Sequence, residues 1–234
     1  MISIEPLMSL KEVRKVYRVG NEKVVALDSI SLDIEEGEIC CILGTSGSGK
    51  STLLNMMAGL ERPTRGSINI KGKPIEKMSE NALARFRRKN IGFIFQSYNL
   101  IPTLTAQENV SLPLVFRGID RKKRNIRAGD FLRQVGLGKH IRHKPSQMSG
   151  GQQQRVGIAR AFIGNPDIVF ADEMTGNLDS KTSEEIMRLV TEITKENNRT
   201  LVIVTHDISI AKHTDRIIYI KDGNIEKVER ISNV

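Results

Sequence analysis

The 234-residue sequence has no tryptophan, only two cysteines, and aromatic residues make up just 4% of it. Cys40 and Cys41 are neighbours in an apolar run, so a disulfide framework is excluded and a reducing compartment is expected. No apolar stretch approaches the roughly 20 residues that span a bilayer. Residues 1–13 lack the basic and apolar regions of a secretory signal. We therefore expect a soluble, cytosolic chain.

Basic residues outnumber acidic ones by 36 to 27, which gives a formal net charge of +9. The hydrophobic fraction of 39% is ordinary for a globular protein and excludes disordered and fibrous classes. The positive charge is compatible with nucleic acid, anionic lipid or phosphorylated ligands. Nucleic acid is not expected, because no base-reading motif occurs and aromatic residues for stacking are scarce.

Short apolar runs alternate with helical patterns along the chain. Strands are predicted at residues 24–34, 38–43, 67–70, 91–95, 168–171 and 201–205, with a helix at 51–60 and a hairpin at 216–228. Residues 97–165 are predicted to be mainly helical, with breaks at Pro102, Pro113 and Pro145. The order indicates one α/β domain over residues 1–234, with a core at 1–96 and 166–234 and an inserted helical subdomain at about 97–165.

The strongest motif is a glycine-rich loop between a predicted strand and a predicted helix. Its residues are Gly44-Thr45-Ser46-Gly47-Ser48-Gly49-Lys50-Ser51, which match G-x-x-x-x-G-K-[ST], followed by Thr52. Glycines let backbone N–H groups converge on phosphate oxygens, and the helix adds the positive end of its dipole. Lys50 is placed to contact the outer phosphates, and the Ser51 hydroxyl to coordinate Mg²⁺. The motif predicts that a nucleoside triphosphate binds at residues 44–52.

Acidic and basic side chains follow two of the predicted strands. Asp172 and Glu173 come directly after the strand at 168–171, where a parallel sheet forms its ligand crevice. We expect Asp172 to hold the Mg²⁺ and Glu173 to polarise the attacking water as general base. His206 follows the strand at 201–205. Alone it is an ordinary strand-end residue, but beside these groups it becomes a candidate contact for the γ-phosphate and the attacking water.

A further motif, Met148-Ser149-Gly150-Gly151-Gln152, is followed by Gln153-Gln154-Arg155. Here the chain resembles the ATP-binding cassette ATPases, whose signature is usually L-S-G-G-Q. Serine and paired glycines at a helix start form a second anion site. The resemblance implies that ATP and Mg²⁺ are bound between two copies of the chain, with Ser149, Gly150, Gly151 and Gln152 of one copy facing the phosphate loop of the other.

The resemblance extends from Tyr17 to Val228 and assigns further roles. Tyr17 is similar to the aromatic residue that stacks on adenine, and Gln96 to the glutamine that contacts Mg²⁺ and the attacking water. Asp179 stands in the loop that joins the two active sites, and His206 matches the switch histidine. The implied fold is α/β, a P-loop nucleotide-binding core with an antiparallel β subdomain and an inserted α-helical subdomain.

Two positions depart from the family pattern. Met148 replaces the usual leucine of the signature, an exchange between apolar residues that we expect to be nearly neutral. Met174 replaces the proline that usually follows the catalytic glutamate, so a looser turn and an altered rate are expected. Glu173 itself is intact, which implies that the chain hydrolyses ATP.

Residues 95–110 are similar to the lipoprotein-release and macrolide-exporter branch of the family. Leu100, Ile101, Leu104 and Val110 either line a groove for a helix of a membrane partner or belong to the core. Beyond them, basic residues crowd a short stretch that contains one acid, Asp120. A solvated helical face is the favoured interpretation of this stretch, and a surface close to anionic lipid is the alternative. The basic residues are Arg117, Arg121, Lys122, Lys123, Arg124 and Arg127.

The resemblance implies Mg²⁺-dependent ATP hydrolysis by a head-to-tail pair that powers a separate integral membrane permease. The chain would be cytoplasmic and peripheral on the inner face of the cell membrane. Export or extraction of a lipid-linked, peptide or amphipathic substrate is expected. A cell-division-type signalling ATPase that transports nothing is the alternative. A soluble ATP-driven clamp ranks lowest, since it predicts two cassettes or a long coiled-coil insertion in one chain.

Overall fold

Alternating apolar and polar residues form an antiparallel sheet near the start of the chain. In the computed structural model, which describes residues 5–231, the strands are ordered β2 (Glu22–Ile34), β1 (Met8–Val19), β4 (Arg65–Ile70) and β5 (Lys73–Pro74). The strands predicted at 24–34 and 67–70 are confirmed. β1 was not predicted, because register shifts between Leu10 and Val16 interrupt its alternation of inward and outward side chains.

A second group of strands surrounds the apolar run that contains the two cysteines. β3 (Ile39–Leu43) pairs in parallel with β8 (Thr200–Thr205) and with β9 (Arg216–Lys221), and β9 forms a hairpin with β10 (Asn224–Arg230). Every residue of β3 and β8 is buried, as expected for parallel strands covered on both faces. The predicted hairpin is confirmed, and Asp222 and Gly223 both have positive φ at its turn.

These strands belong to one compact unit, which is formed by two segments of the chain, one up to Arg85 and one from Thr200 onward. The same unit contains α1 (Lys50–Met57), which was predicted to reach residue 60. The helix ends earlier because Gly59 adopts a left-handed conformation, with φ of 64°. α2 (Glu80–Asn90) leads into the second unit, which runs from Phe86 to Arg199.

The second unit combines two parallel strands with four helices. β6 (Ile91–Phe95) pairs with β7 (Ile168–Asp172), and both strands were predicted. The helices that follow are α3 (Ala106–Phe116), α4 (Arg121–Gln134), α5 (Gly150–Phe162) and α6 (Ser180–Glu196). Residues 97–165 are therefore mainly helical, as predicted. Within residues 5–231, none of the helices combines the length and the apolar character that a bilayer crossing requires.

The predicted helix break at Pro113 is wrong, because α3 continues through this proline. A capping box between Thr105 and Glu108 fixes the start of the helix. The buried side chain of Asn109 adds hydrogen bonds to the backbone just before the helix. Val110 and Leu114 are buried on its inner face. Capping and packing together outweigh the hydrogen bond that proline removes.

Candidate functional site

The glycine-rich loop of the first unit is shaped by close backbone approaches. A Cβ on Gly44 would lie 2.3 Å from the carbonyl oxygen of Ile220, and one on Gly49 would lie 2.6 Å from that of Ala26. Gly49 also has φ of 103°, a conformation that side chains strongly disfavour. The backbone N–H of Gly223, in the β9–β10 turn, donates to the carbonyl of Ser48 at 3.0 Å. Gly44 and Gly49 are thus required by the packing of the loop against neighbouring backbone.

Lys50 lies within this loop. Its side chain is only 5% exposed, and its Nζ donates to the carbonyl oxygen of Thr45 at 2.7 Å. α1 begins at Lys50, and its N-cap is Gly49, which has no side chain to satisfy the first N–H groups of the helix. The Ser48 Oγ is buried and has no hydrogen-bond partner among the residues that the structure describes. The unsatisfied Ser48 hydroxyl, the buried ammonium of Lys50 and the N-terminus of α1 together favour the binding of an anion at this loop.

His206 lies at the same sheet edge as the loop. Leu43 of β3 is in register with Thr205 of β8, so Gly44 and His206 follow their strands side by side. Asp207 fixes the chain beyond the histidine, because its N–H donates to Thr205 Oγ1 at 3.1 Å and its carboxylate accepts from Ser209 N at 2.8 Å. The structure therefore brings the predicted histidine to the edge where the phosphate loop begins.

Tyr17 is half-buried on β1, and its orientation is set by charged neighbours. Its hydroxyl donates to Glu61 Oε2 at 2.7 Å, and Lys15 Nζ lies 5.1 Å from the centre of its ring. Burial and this bond raise the pKa of Tyr17. The bond is also the largest contribution to the lowered pKa of Glu61, which further accepts from Asn55 Nδ2 at 3.1 Å. Stacking of the ring on adenine stays a prediction.

Gln96 and Glu173 are brought together in the second unit. Phe95 of β6 is in register with Asp172 of β7, so the two residues that follow share one sheet edge. The side-chain nitrogen of Gln96 lies 2.8 Å from the Cβ position of Gly176, and the Gly176 N–H donates to the carbonyl of Glu173 at 2.9 Å. Glu173 has φ of 43°. Such strained backbone at a carboxylate indicates a functional site.

The predicted signature forms the start of α5, as expected. Ser149 is its N-cap, and a capping box joins Ser149 Oγ to the N–H of Gln152 at 3.3 Å and Gln152 Oε1 to the N–H of Ser149 at 3.0 Å. Gly150 and Gly151 leave room for neighbouring side chains, since their Cβ positions lie 2.8 Å from Tyr98 Oη and 2.7 Å from Thr182 Cγ2.

The loop that contains Asp179 lies beside this signature. A Leu178 methyl group is 3.5 Å from the Cβ position of Gly150. Asp179 is the N-cap of α6 and accepts from the N–H of Thr182 at 3.0 Å and from its hydroxyl at 2.6 Å. These bonds lower the pKa of Asp179. The carboxylate is therefore fixed as a helix cap at the side of the signature.

Sequence reasoning missed one buried polar residue of this unit, Gln154. Its Nε2 donates to the carbonyl oxygen of Met174 at 2.6 Å, and its side chain is fully buried. Met174 is itself only 1% exposed. The turn after Glu173 was expected to be loose without proline, but packing and this hydrogen bond constrain it. A polar residue on the apolar face of α5 was the signal that could have identified Gln154.

The predicted groove and basic stretch are only partly as expected. Val110 is a core residue, which confirms the core interpretation for this position, whereas Ile101 is 41% exposed. Arg117 is not part of a solvated face, because its guanidinium donates to the carbonyls of Arg88 and Lys89, at the end of α2. A groove of about 200 Å³ occurs elsewhere in this unit, but none of the four residues predicted to line a groove belongs to it. Its lining includes Arg88, Phe93, Phe95, Pro113, Arg160 and Gly164.

The predicted Mg²⁺ ligands are Ser51, Gln96 and Asp172. Hydroxyl, amide and carboxylate oxygens are the ligands that Mg²⁺ accepts, usually together with water and substrate phosphates. Within residues 5–231, no cluster of three or more His, Cys, Asp or Glu side chains is placed to hold a metal. A joint role of the three side chains in one Mg²⁺ site stays a prediction.

Comparisons with known proteins show the family to which the chain is similar. The family model described as ABC transporter matches residues 27–176. An ABC transporter ATP-binding protein of Thermotoga maritima is 48% identical over 97% of both chains. A macrolide export ATP-binding/permease protein of Syntrophobacter fumaroxidans is 46% identical over 94% of this chain and 31% of its own length. The solved dimer of the ATP-binding cassette MJ0796 with ADP and Pi is 46% identical, with a TM-score of 0.89 over 97% of this chain and 100% of that chain.

Proposed function

This chain belongs to the ABC transporter family as an ATP-hydrolysing cassette, and from that premise we propose that it powers a separate integral membrane subunit. One observation carries this proposal. The macrolide export relative contains, in one polypeptide, an ATP-binding part that this chain matches and a permease. The present chain matches only about a third of that relative. We propose that a permease of this kind acts together with this chain.

We propose that residues 44–52 bind the phosphates of ATP and that Tyr17 stacks on its adenine. The buried Lys50 supports this role, because its ammonium can exchange the Thr45 carbonyl for phosphate oxygens. Bound Mg²⁺, held by Ser51, Gln96 and Asp172, would neutralise charge on the outer phosphates. In this proposal the chain is one nucleotide-binding domain, with its helical subdomain at about 97–165.

We assign the chemistry to three side chains. Glu173 accepts a proton from water as the water oxygen attacks the γ-phosphorus, and the bond to the ADP oxygen breaks. Gln96 orients that water beside Glu173, and His206 donates to the γ-phosphate. Lys50 and the N–H groups of the loop stabilise the charge on the transferred group. The products are ADP and phosphate.

The dimeric structures of the related cassette support a pair of chains as the working form. We propose that two copies enclose ATP, with Ser149, Gly150, Gly151 and Gln152 of one copy and the phosphate loop of the other. The capping box leaves the hydroxyl hydrogen of Ser149 available to donate to a γ-phosphate oxygen. Asp179, beside the signature, would link the two sites. Loss of the γ-phosphate removes these contacts and opens the pair.

The groove lined by Phe93 and Phe95 is our proposed docking site for the membrane subunit. The two rings stack with their centres 5.4 Å apart, and an apolar groove of this kind accepts a short helix. Phe95 directly precedes Gln96, so movement of an occupant is transmitted to the water-orienting residue. The resemblance to the lipoprotein-release and macrolide-exporter branch favours export or extraction of a lipid-linked, peptide or amphipathic substrate, with the chain itself at the inner face of the cell membrane.

The first experiment is an affinity purification of tagged Glu173→Gln protein from detergent-solubilised native membranes with ATP. We expect recovery of a multi-span membrane protein. Adding Phe95→Ser should abolish recovery, whereas Val228→Ser, at an apolar residue that is 47% exposed, should not. Recovery of ribosomes or of the chain alone would contradict the proposal and favour a soluble clamp.

Reconstitution then separates transport from signalling. If the recovered subunit moves no lipid-linked, peptide or amphipathic substrate in proteoliposomes while ATP is hydrolysed, the cell-division-type signalling role replaces transport. The same membrane partner is expected in both cases, so the purification alone does not decide between them.

A further inference from the structure

The end of α3 and the start of α4 carry an exposed surface that the proposed mechanism does not use. Phe116 is 65% exposed and Ile126 is 55% exposed. The basic side chains of Arg121, Lys122, Lys123 and Arg127 are also exposed. We name this surface the 116–127 patch, and its members are Phe116, Arg121, Lys122, Lys123, Ile126 and Arg127.

The order of residues at the start of α4 opposes helix stability. Positive charge at a helix N-terminus is repelled by the helix dipole, yet α4 begins Arg121-Lys122-Lys123-Arg124. Asp120 compensates in part, since its Oδ1 accepts from the N–H groups of Lys122 and Lys123 at 2.9 and 3.3 Å. A sequence that weakens a helix and leaves large apolar side chains in water indicates a binding surface.

The patch is distinct from the other basic residues of the stretch. Arg117 is bound to the carbonyls at the end of α2, and Arg124 donates to the carbonyl of Ile119 at 3.2 Å. By contrast, Lys122 and Ile126 are four residues apart and lie on one side of α4, as do Lys123 and Arg127. Apolar and cationic side chains therefore share the same exposed part of the helix.

We propose that the 116–127 patch binds the anionic headgroups of the membrane leaflet on which the chain works, an inference that rests on the proposed function. Basic residues are attracted to anionic lipid, and exposed apolar side chains enter the headgroup boundary. The patch offers four cations and two large apolar side chains in a single short segment. This charge complementarity favours lipid over nucleic acid, for which one aromatic ring provides little stacking.

The test uses the purified chain and vesicles without any membrane subunit. We expect co-sedimentation with vesicles of phosphatidylcholine and phosphatidylglycerol, no binding to phosphatidylcholine alone, and weaker binding as salt is raised. The double variant Lys122→Glu/Lys123→Glu should lower vesicle partitioning at least about tenfold, because each basic residue near an anionic surface contributes substantially. Phe116→Ser should cause a smaller loss. Basal ATPase activity of these variants should match that of the unmodified chain.

The matched control is Lys11→Glu/Lys23→Glu, which makes the same change in net charge at two exposed residues of the other unit and should retain most of the binding. The proposal is overturned if anionic vesicles are not bound or if the control loses as much binding. It is also overturned if the patch variant binds vesicles normally but no longer recovers the membrane subunit. Because the vesicles contain no such subunit, failure here leaves the proposed function intact.

Discussion

The side-chain amide of Gln154 donates a hydrogen bond to the backbone carbonyl of Met174, with 2.6 Å between the two atoms. Gln154 belongs to α5, which begins at the signature, and Met174 directly follows Glu173. Both side chains are buried. This bond therefore connects the signature helix to the turn of the proposed catalytic base within one chain, and it constrains that turn, which has methionine after Glu173.

Replacing Gln154 with leucine should lower kcat about tenfold while leaving the dissociation constant of ATP nearly unchanged, equivalent to about 1.4 kcal/mol in the barrier. The substitution leaves the buried Met174 carbonyl without its partner, which also costs about 1–3 kcal/mol of folding stability. Steady-state ATPase assays, nucleotide titration and denaturant unfolding measure the three quantities. Gln134→Leu, at an exposed glutamine of α4, is the control. An unchanged kcat would show that the bond has no positioning role.

Ser149→Arg should retain ATP binding and lose hydrolysis, because the signature is proposed to act on ATP held by another copy. Lys50→Ala should lose binding itself, since the only ammonium within the described phosphate loop is removed. The sharper test is to mix the two inactive variants. A mixed pair contains one intact phosphate loop opposite one intact signature, so part of the ATPase activity should return. Mixtures that stay inactive would contradict the shared site.

Tyr17→Phe removes the hydroxyl that donates to Glu61 but keeps the aromatic ring, so it tests the two features of this residue separately. The ring remains, so the Michaelis constant for ATP should stay near that of the unmodified chain, whereas Tyr17→Ala should raise it more than it lowers the maximal rate. Equal Michaelis constants for the two variants would exclude stacking on adenine.

The same substitution should also change the dependence of stability on pH. Glu61 has a lowered pKa in the folded chain, first through its bond from Tyr17. A lowered carboxyl pKa stabilises the fold above the unfolded pKa, and this contribution is lost as pH falls through the folded value. Tyr17→Phe should therefore be less stable at neutral pH, with the difference shrinking as Glu61 becomes protonated. Denaturant unfolding at several pH values measures the difference in free energy of unfolding between the variant and the unmodified chain. A difference that stays constant with pH would show that the bond does not depend on the charge of Glu61.

Local patterns explain which parts could be predicted from the sequence. The apolar runs of β3 and β8, the glycine-rich loop and the Asp222–Gly223 turn are all encoded within a few residues. β1 was not predicted because its bulges interrupt the alternation of inward and outward side chains. One of the irregular residues is Glu12, which has φ of 48°. Pro113 was misjudged because the buried contacts that hold α3 come from elsewhere in the unit. Long-range packing cannot be read from periodicity alone.

The residues of the candidate site also divide into those that local sequence motifs indicate and those whose roles depend on contacts distant in sequence. Sequence motifs predict roles for Lys50, Glu173 and Ser149, and these stay predictions. The roles of Gln154 and Arg117, by contrast, depend on which carbonyls lie nearby. Arg117 was grouped with a basic stretch, yet its guanidinium satisfies carbonyls of residues 88, 89 and 164. Such partners are distant in sequence and become visible only in the fold.

Cys40 and Cys41 should react with a thiol reagent only when the chain opens. Both are fully buried in β3, and burial raises the pKa of Cys41 to about 12 and that of Cys40 well above its usual range. The reactive thiolate is therefore scarce at neutral pH. β3 leads directly into the phosphate loop, so nucleotide binding should stabilise this strand and slow its opening. Labelling with a chromogenic disulfide should be slow in the native chain, slower with ATP, and rapid at both cysteines in denaturant. The Lys50→Ala variant should show no slowing by ATP, and rapid labelling of the native, unmodified chain would contradict the burial of β3.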